Sequence, residues 1–379
     1  MSETTPRNEA IDALLSERIA AGDFPGAAYL VSLDGIVHAQ GALGDAIRHQ
    51  NRVTPCSADT IFDVASLTKP VVTGLLLAIA VRENKIDFND RLSRFFPELE
   101  IDDADDVTIA QLATHTSGFA SWIPFYLEIE NEIGRDEKLR RAVDLILNKE
   151  PVCAPDSKVI YSDLNFILLG IILEKIFGER LDVIASNRVF SPLGLKRTFF
   201  NPPSELGDEI AASEFGNGHE KKTCEEMGYD TSHFNWREYL IRGEVHDGNC
   251  KFFNGISGHA GLFSTIDDLN KLSLQFIPGR SILLDDATIE TMTRNRTPQL
   301  NEHRSIAFQI ASTPDSTAST SLDVNSFGHL GFTGTSLWID PKMKMVAILL
   351  TNRTHDHSLP FVNIKEMRRR FNELAARSL

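Results

Sequence analysis

The feature of this sequence that most constrains its fold is the placement of strand-forming segments at both ends of the chain. Near the N-terminus, AAYLVSL and IVHAQGA flank Asp34-Gly35, a pair that favours a tight hairpin turn. Near the C-terminus, HLGFTGTSLWID and KMVAILLTN flank Asp340-Pro341-Lys342. Between these regions apolar residues recur at helical spacing, as in LNFILLGIILEKIFG. The pattern predicts one antiparallel sheet built from both chain ends.

We therefore predict an α/β (α+β) fold in which terminal helices, at residues 8–21 and 363–377, flank the sheet. An all-helical part is inserted in the middle, followed by a weakly patterned surface excursion at 201–255. The 379 residues form a single unit, 1–379. Its α/β part is placed at 1–65 and 255–379, and its helical part with the excursion at 66–254.

Charge argues against two classes of partner. Lys and Arg number 38 and Asp and Glu 53, which gives a net charge of −15. Such a surface repels nucleic acid and anionic lipid. The most apolar run, Val71–Val81, is shorter than the roughly 20 residues of a spanning helix. The N-terminus lacks the basic start and apolar stretch of a secretory leader, so we expect a cytoplasmic protein, or a periplasmic one if a leader has been removed.

The cysteines do not form a recognisable framework. Cys56, Cys153, Cys224 and Cys250 are far apart and show no C-x-x-C spacing. We expect four reduced thiols, with neither disulfides nor a zinc site. No metal or organic cofactor is implied, and the sequence leaves the oligomeric state open.

Ser66-Leu67-Thr68-Lys69 is the first segment with potential for catalysis. An apolar helical pattern follows it, so Ser66 should lie near a helix N-terminus, where free amides stabilise an anion. Positions i and i+3 share a helix face, so the Lys69 amine can reach the Ser66 hydroxyl. This arrangement activates a serine without a histidine. The alternative is a capping serine beside a solvent-facing lysine.

Two further segments carry comparable potential. Tyr161 lies in a loop before the apolar helix LNFILLGIILEKIF, and a phenol near a lysine ammonium can serve as a proton acceptor. His329-Leu330-Gly331 lies in a glycine-rich strand, where an edge amide such as that of Phe332 can donate to a developing oxyanion. A packing tyrosine and a simple β-bulge are the alternatives.

Taken in order, these segments resemble the motifs S-x-x-K, Y-x-N and K-T-G or H-x-G of the serine β-lactamase and penicillin-binding-protein family. The phrases FDVASLTKP, YSDLNFILLG and GHLGFTGTSLWIDP also resemble family text. The resemblance implies a β-lactamase/transpeptidase-like fold and Ser66 as the acylated nucleophile. It further implies Lys69 and Tyr161 as the proton-handling pair, the amides of Ser66 and Phe332 as the oxyanion hole, and His329 and Gly331 on the substrate side.

Two departures from the family motifs bear on the chemistry. Asp163 stands where the family commonly has Asn; beside Lys69 it favours the ammonium and raises the lysine pKa. Tyr161 then becomes the better base, and Tyr161→Phe should lose more acylation rate than Asp163→Asn. His329 replaces a lysine and is mostly neutral at pH 7. This predicts weak, acid-favoured binding of carboxylate substrates and better turnover of uncharged esters.

Other histidines and a basic run were also considered. His246-Asp247 lies in the irregular excursion, and this pair is a candidate for lining the substrate site. His355-Asp356-His357 is interpreted as a solvated loop rather than a metal site. His115 is expected to brace a turn, and Arg368-Arg369-Arg370 to form a solvated helix face.

The function predicted from the sequence is a serine hydrolase that forms an acyl-enzyme on Ser66. The candidate substrates are small molecules or peptides: short-chain esters, D-alanyl peptides or β-lactams. No separate carboxylate is marked for deacylation, so either Tyr161 serves both halves of the reaction or deacylation is slow. The alternative function is a non-catalytic penicillin-type binding or scaffold protein that retains the fold.

Overall fold

The computed structural model describes residues 6–97 and 106–378. The first five residues, part of the segment considered above for a leader, lie outside it. The strands are β1 (Gly26–Leu33), β2 (Ile36–His49), β3 (Arg52–Pro55), β4 (Phe62–Asp63), β5 (Phe199–Phe200), β6 (Leu262–Ser264), β7 (Gln309–Ile310), β8 (Phe327–Leu330), β9 (Ser336–Asp340) and β10 (Met345–Thr351). The helices are α1 (Glu9–Ala20), α2 (Leu75–Arg82), α3 (Ile109–Ala113), α4 (Phe125–Glu128), α5 (Arg135–Leu147), α6 (Asp163–Phe177), α7 (Leu181–Ala185), α8 (Gly218–Glu226), α9 (Gly248–Phe252), α10 (Ile266–Ser273), α11 (Asp286–Thr293) and α12 (Lys365–Arg377).

A seven-stranded antiparallel sheet, in the order β3-β2-β1-β10-β9-β8-β7, joins the two ends of the chain. β1 and β10 lie side by side, with Ala27 opposite Thr351 and Leu33 opposite Met345. In the β1–β2 turn Asp34 and Gly35 have φ values of +49° and +83°, as a tight hairpin turn requires. The predicted sheet and its flanking terminal helices are confirmed.

Helices cover both faces of this sheet, which explains why β1 and β10 read as nearly continuous apolar runs. On one face α1 and α12 pack against each other and against the sheet, burying Leu15, Tyr29, Trp338 and Phe371. The larger core lies on the other face and extends through α2, α6 and α10. The sheet is therefore the middle layer between two sets of helices.

The helical part is organised around α2 and α6, which are buried along most of their lengths. The helical segment Ala65–Arg82 is long and apolar enough to cross a membrane, but 83% of it is buried inside this protein. The same composition is typical of a core helix. The boundaries placed after residues 65 and 254 stay a prediction.

A small sheet, β4-β6-β5, brings two distant segments together. It places the residues before Ser66 beside those that follow His259. α6 approaches the second segment closely at Gly170, where a Cβ would lie 2.8 Å from the backbone nitrogen of Gly258. Thr73 Oγ1 also donates to the Gly258 oxygen at 2.6 Å. The backbone around His259 is thus anchored against both core helices.

Local features complete the fold. The Thr265 side chain caps α10 by accepting a hydrogen bond from the Asp268 amide. The segment 312–321 forms a loop between β7 and β8. All four cysteines are free thiols.

Candidate active site

Ser66 lies on a sharp turn at the start of the helical segment that leads into α2. A 3₁₀ turn spans Ala65–Leu67, and a π-helical segment, Lys69–Gly74, continues into the helix. Ala65 has a φ of +48°, a left-handed conformation that is strained for a residue with a Cβ. Its amide donates to Asp63 Oδ1 at 2.9 Å, which holds the turn. Ser66 is consequently half-buried at the N-terminal end of the segment, as predicted.

Lys69 is fully buried and surrounded by acceptors. Its Nζ donates to Ser66 Oγ at 2.9 Å and to the His259 backbone oxygen at 3.0 Å. Asp163 Oδ1 lies 2.7 Å from Nζ and forms an ion pair with it. Burial lowers the pKa of Lys69, but Asp163 and then Tyr161 outweigh burial and leave the pKa raised. Lys69 is therefore an ammonium, in the direction predicted from Asp163.

Tyr161 lies in the loop before α6, with its ring centroid 5.0 Å from Lys69 Nζ. Lys69 and Ser66 both act on its phenol, and each lowers the phenol pKa. Burial raises the pKa of Tyr161, Lys69 lowers it and Asp163 raises it, and the net direction is upward. The Lys69 ammonium does lower the phenol pKa, but burial and the Asp163 carboxylate outweigh it, which opposes the predicted role of Tyr161 as the base.

His115 supports the loop that carries Tyr161. Its φ is +60°, and its Nδ1 accepts a hydrogen bond from the Ser162 amide at 3.1 Å. The imidazole ring packs 4.6 Å from the Tyr161 ring, centroid to centroid. The predicted turn-bracing role is confirmed.

The backbone amides of Ser66 and Phe332 donate no hydrogen bond to any group in the described ranges. Both residues line the same two cavities, so these donors belong to one cleft. Phe332 lies in the turn just after β8 rather than within the strand. The oxyanion role of this pair stays a prediction.

Two threonines tie that turn to the segment before Ser66. Thr333 Oγ1 donates to the Asp63 oxygen at 2.7 Å, and Thr335 Oγ1 donates to the Val64 oxygen at 3.0 Å. A Cβ on Gly331 would lie 1.9 Å from Thr335 Oγ1 and 2.6 Å from the Val64 oxygen. Only glycine allows the strand end to approach the nucleophile turn this closely.

His329 lies beside Tyr161, with ring centroids 5.8 Å apart. It is buried, and Nδ1 hydrogen-bonds the Leu330 oxygen at 2.9 Å. Burial, then Arg304 and Lys69, hold the pKa of His329 well below its usual range. The ring is neutral, as predicted. Burial and these two cations disfavour a protonated ring, which opposes the acid-favoured binding of carboxylates expected through His329.

Three arginine side chains, which no motif predicts at the site, supply positive charge near Ser66. A cavity of about 340 Å³ beside Ser66 is lined by Arg304, Arg353 and Arg368. Arg368 Nη2 donates to the Gly331 and Thr335 oxygens at 2.8 and 2.9 Å. Arg304 pairs with Glu302, whereas Arg353 and Arg368 have no carboxylate partner within the described ranges.

Electrostatics distinguish Arg368 from an ordinary arginine. Burial, and then the positive charge of Arg353, lower its pKa to about 9. The prediction that residues 368–370 form a solvated helix face is wrong for Arg368, because this residue is only 8% exposed. Met367, Phe371 and Ala375 are buried on the same helix, so helical spacing alone could have placed Arg368 inward. Arg369 and Arg370 form ion pairs at the surface.

A second cavity, of about 420 Å³, opens on the other side of Ser66. Its lining includes Trp122, Asp163, His246 and Asp247. His246 Nε2 lies 2.9 Å from Glu214 Oε2, and its ring stacks on Phe332 with centroids 5.5 Å apart. The excursion at 201–255 thus covers the cleft. A larger cavity, of about 890 Å³ between α5 and α6, contains none of the predicted site residues.

Asp247 was predicted only as the neighbour of His246 at the cleft, and His259 was not predicted from the sequence. Asp247 Oδ1 lies 3.0 Å from His259 Nε2 and accepts from the Cys250 amide at 2.7 Å. No motif in the sequence marks the His259 backbone oxygen as an acceptor for Lys69. His355 also differs from expectation, since it is buried and accepts from the Arg48 amide at 2.8 Å.

The antiparallel sheet with its helical insertion, together with a half-buried serine hydrogen-bonded to a buried lysine, is typical of the β-lactamase and penicillin-binding class of protein. A family model described as Beta-lactamase matches residues 11–369, and the chain belongs to that family. A putative D-alanyl-D-alanine carboxypeptidase of Salmonella agona is 31% identical over 378 residues, covering 91% of this chain and 82% of the relative.

Two other comparisons extend this picture. The N-acetylmuramyl-L-alanine amidase of Bacillus subtilis is 30% identical over 386 residues, covering 93% of this chain and 82% of the relative. The solved structure of EstCE1, described as a hydrolase with promiscuous acyltransferase activity, matches with a TM-score of 0.73 at 20% identity, covering 97% and 98% of the two chains. The family and its relatives include hydrolases of several substrate types.

Proposed function

We propose that the protein is a serine hydrolase that forms an acyl-enzyme on Ser66. The observation that carries the proposal is the 2.9 Å hydrogen bond from buried Lys69 Nζ to Ser66 Oγ, at a serine that opens onto two cavities. Attack by Oγ places negative charge on the substrate carbonyl oxygen. The unengaged amides of Ser66 and Phe332 are suited to stabilise that charge.

The arginines favour a substrate with a carboxylate close to the scissile bond. Arg353 and Arg368 line the cavity beside Ser66 without a carboxylate of their own in the described ranges. Guanidinium groups bind carboxylates through two parallel hydrogen bonds, and a buried site strengthens them. This reverses the preference for uncharged esters that was expected from His329 alone.

Names of the relatives agree with this class of substrate. One is named for D-alanyl-D-alanine and the other for N-acetylmuramyl-L-alanine, so both names place an alanine residue at the bond. An alanine on the departing side brings its α-carboxyl group two bonds from the scissile nitrogen. The acyl part would then occupy the 420 Å³ cavity, where the Trp122 ring and the polar side chains of His246 and Asp247 suit a group of mixed polarity.

The test compares a D-alanyl-D-alanine peptide, N-acetylmuramyl-L-alanine, nitrocefin and p-nitrophenyl butyrate, with intact-mass measurement of the protein after each. We expect at least one alanine-containing substrate to be hydrolysed with a higher kcat/KM than the neutral ester. Ser66→Ala should lose the activity and any acyl adduct. Ser157→Ala is the control, because that exposed serine bonds only the Ala154 oxygen.

Two results would contradict the proposal. Activity that persists in Ser66→Ala would exclude Ser66 as the nucleophile. The absence of any adduct or turnover with every substrate would favour the scaffold alternative.

A further inference from the structure

Asp163 is placed to do more than hold a charge. It is the first residue of α6, and its carboxylate is 2.7 Å from Lys69 Nζ. Its side chain is 20% exposed and lines the 420 Å³ cavity, whereas Lys69 is fully buried. The carboxylate thus connects the interior amine with the cleft.

The protons around Lys69 present a difficulty for the reaction. A lysine ammonium has three N–H bonds and no lone pair, so it accepts nothing from Ser66. The His259 carbonyl cannot take a proton from it. The phenol of Tyr161 already carries its own proton, since its pKa is raised. Of the groups in contact with Nζ, the Asp163 carboxylate remains as the one able to accept.

We propose that Asp163 takes a proton from Lys69 and thereby makes Lys69 the base for Ser66; this rests on the acyl-enzyme function proposed above. The Nζ–H bond breaks and an O–H bond forms on Asp163. The neutral amine then turns about its Cε–Nζ bond so that its lone pair faces Ser66 Oγ.

The remaining steps balance. Oγ bonds to the substrate carbonyl carbon while its proton moves to Nζ. When the tetrahedral intermediate collapses, the leaving group takes that proton from Lys69. Asp163 then returns its own proton to the amine, and the ammonium–carboxylate pair is restored. Tyr161 orients the Ser66 and Lys69 hydrogen bonds without ionising.

Other charged groups near Lys69 keep one state over the working range. His115 and His329 have pKa values held well below the usual range, by burial first. Burial raises the pKa of Asp247, but His259 outweighs it and the net pKa is lowered, so Asp247 stays ionised. Arg304, over the Tyr161 ring at 5.5 Å, is a paired guanidinium. A displaced pH profile in an Asp163 variant therefore reports the loss of its carboxylate beside Lys69.

The experiment measures the acylation rate of the full chain with p-nitrophenyl acetate from pH 5 to pH 10, for wild type and Asp163→Asn. Without the carboxylate, burial lowers the pKa of Lys69, and the neutral amine itself becomes the base. The acid limb should therefore move to higher pH. We expect about a tenfold or greater loss at pH 6, shrinking to about twofold or less at pH 10.

Asp144→Asn is the matched control, because it removes a surface carboxylate from an ion pair with Arg140. Asp163→Ser should shift the profile in the same direction as Asp163→Asn, and thermal unfolding confirms that each variant is folded. An unchanged acid limb, or a loss confined to high pH as a phenolate base would give, overturns the proposal. If the wild type never acylates Ser66, the proposed function fails, and the proton transfer fails with it.

Discussion

Replacing Arg368 by methionine tests the substrate class directly. The paired substrates are two esters of one acyl group, with meta-hydroxybenzoate or meta-hydroxybenzamide as the leaving group, so that they differ only in a carboxylate. Arg368 Nη2 already holds the Gly331 and Thr335 oxygens, and their loss affects both esters equally. The ratio of the two kcat/KM values therefore isolates the contact with the carboxylate.

The expected size follows from the hydrogen bond that is lost. A hydrogen bond to a charged partner contributes about 1.5–3 kcal/mol, which corresponds to about 10- to 150-fold in kcat/KM. In Arg368→Met the preference for the anionic ester should fall by that factor, with Arg353 retaining part of it. Arg370→Met, in which a surface ion pair is removed, is the control.

pH supplies an independent check on the same residue. The pKa of Arg368 is about 9, so its cation is present below that pH and is lost above it. The preference for the anionic ester should fall in wild type as the pH rises through 9, and should change little in Arg368→Met. Equal ratios in wild type and variant, at every pH, would refute the assignment of the arginines to substrate recognition.

Three further outcomes are expected. Gly170→Ala should destabilise the fold by about 1–3 kcal/mol in denaturant unfolding, because its Cβ would meet the Gly258 backbone; Gly134→Ala, with nothing within 4 Å, should be close to neutral. His329→Gln should leave the pH profile of kcat/KM unchanged between pH 5 and pH 8, since the ring is already neutral; a displaced acid limb would show that it titrates. Thr335→Val should lower kcat and the free energy of unfolding, the latter by about 0.5–1.5 kcal/mol, because the Val64 carbonyl loses one of its two donors and keeps only the Leu67 amide; Thr335→Ser keeps the hydroxyl donor and should restore most of both.

Local sequence patterns were sufficient to predict the main strands and helices and part of the candidate active site. Alternation and turn residues predicted the hairpin at Asp34-Gly35 and the pair β9–β10. The i and i+3 spacing predicted the contact between Ser66 and Lys69, because neighbours on one helical turn meet whatever the rest of the fold does. The site residues came in addition from the resemblance, which orders three motifs far apart in the chain.

Burial and long-range contacts were beyond such patterns. The run at 368–370 looks uniformly basic, yet one guanidinium faces the interior because α12 packs on the sheet. His329 stands in place of the family lysine and suggested that the site lacks a cation. Arg304, Arg353 and Arg368, from three separate segments, nevertheless line the cavity that His329 lines. The inward position of Arg368 and the clustering of the three arginines both depend on how distant segments pack. A short sequence motif does not specify that packing.

The amino-acid sequence alone determined the strands at both ends, the helices between them and the pairing of a serine with a lysine one turn away, since each depends on neighbouring residues. Tertiary structure alone decided which distant groups, and how much burial, act on the ionisable side chains of the site. The His259 oxygen and the Asp163 carboxylate reach Lys69 from 190 and 94 positions away along the chain, and burial sets the sign of the pKa changes at Tyr161 and Arg368. Charge and desolvation act through space, so these properties appear only when the chain is folded.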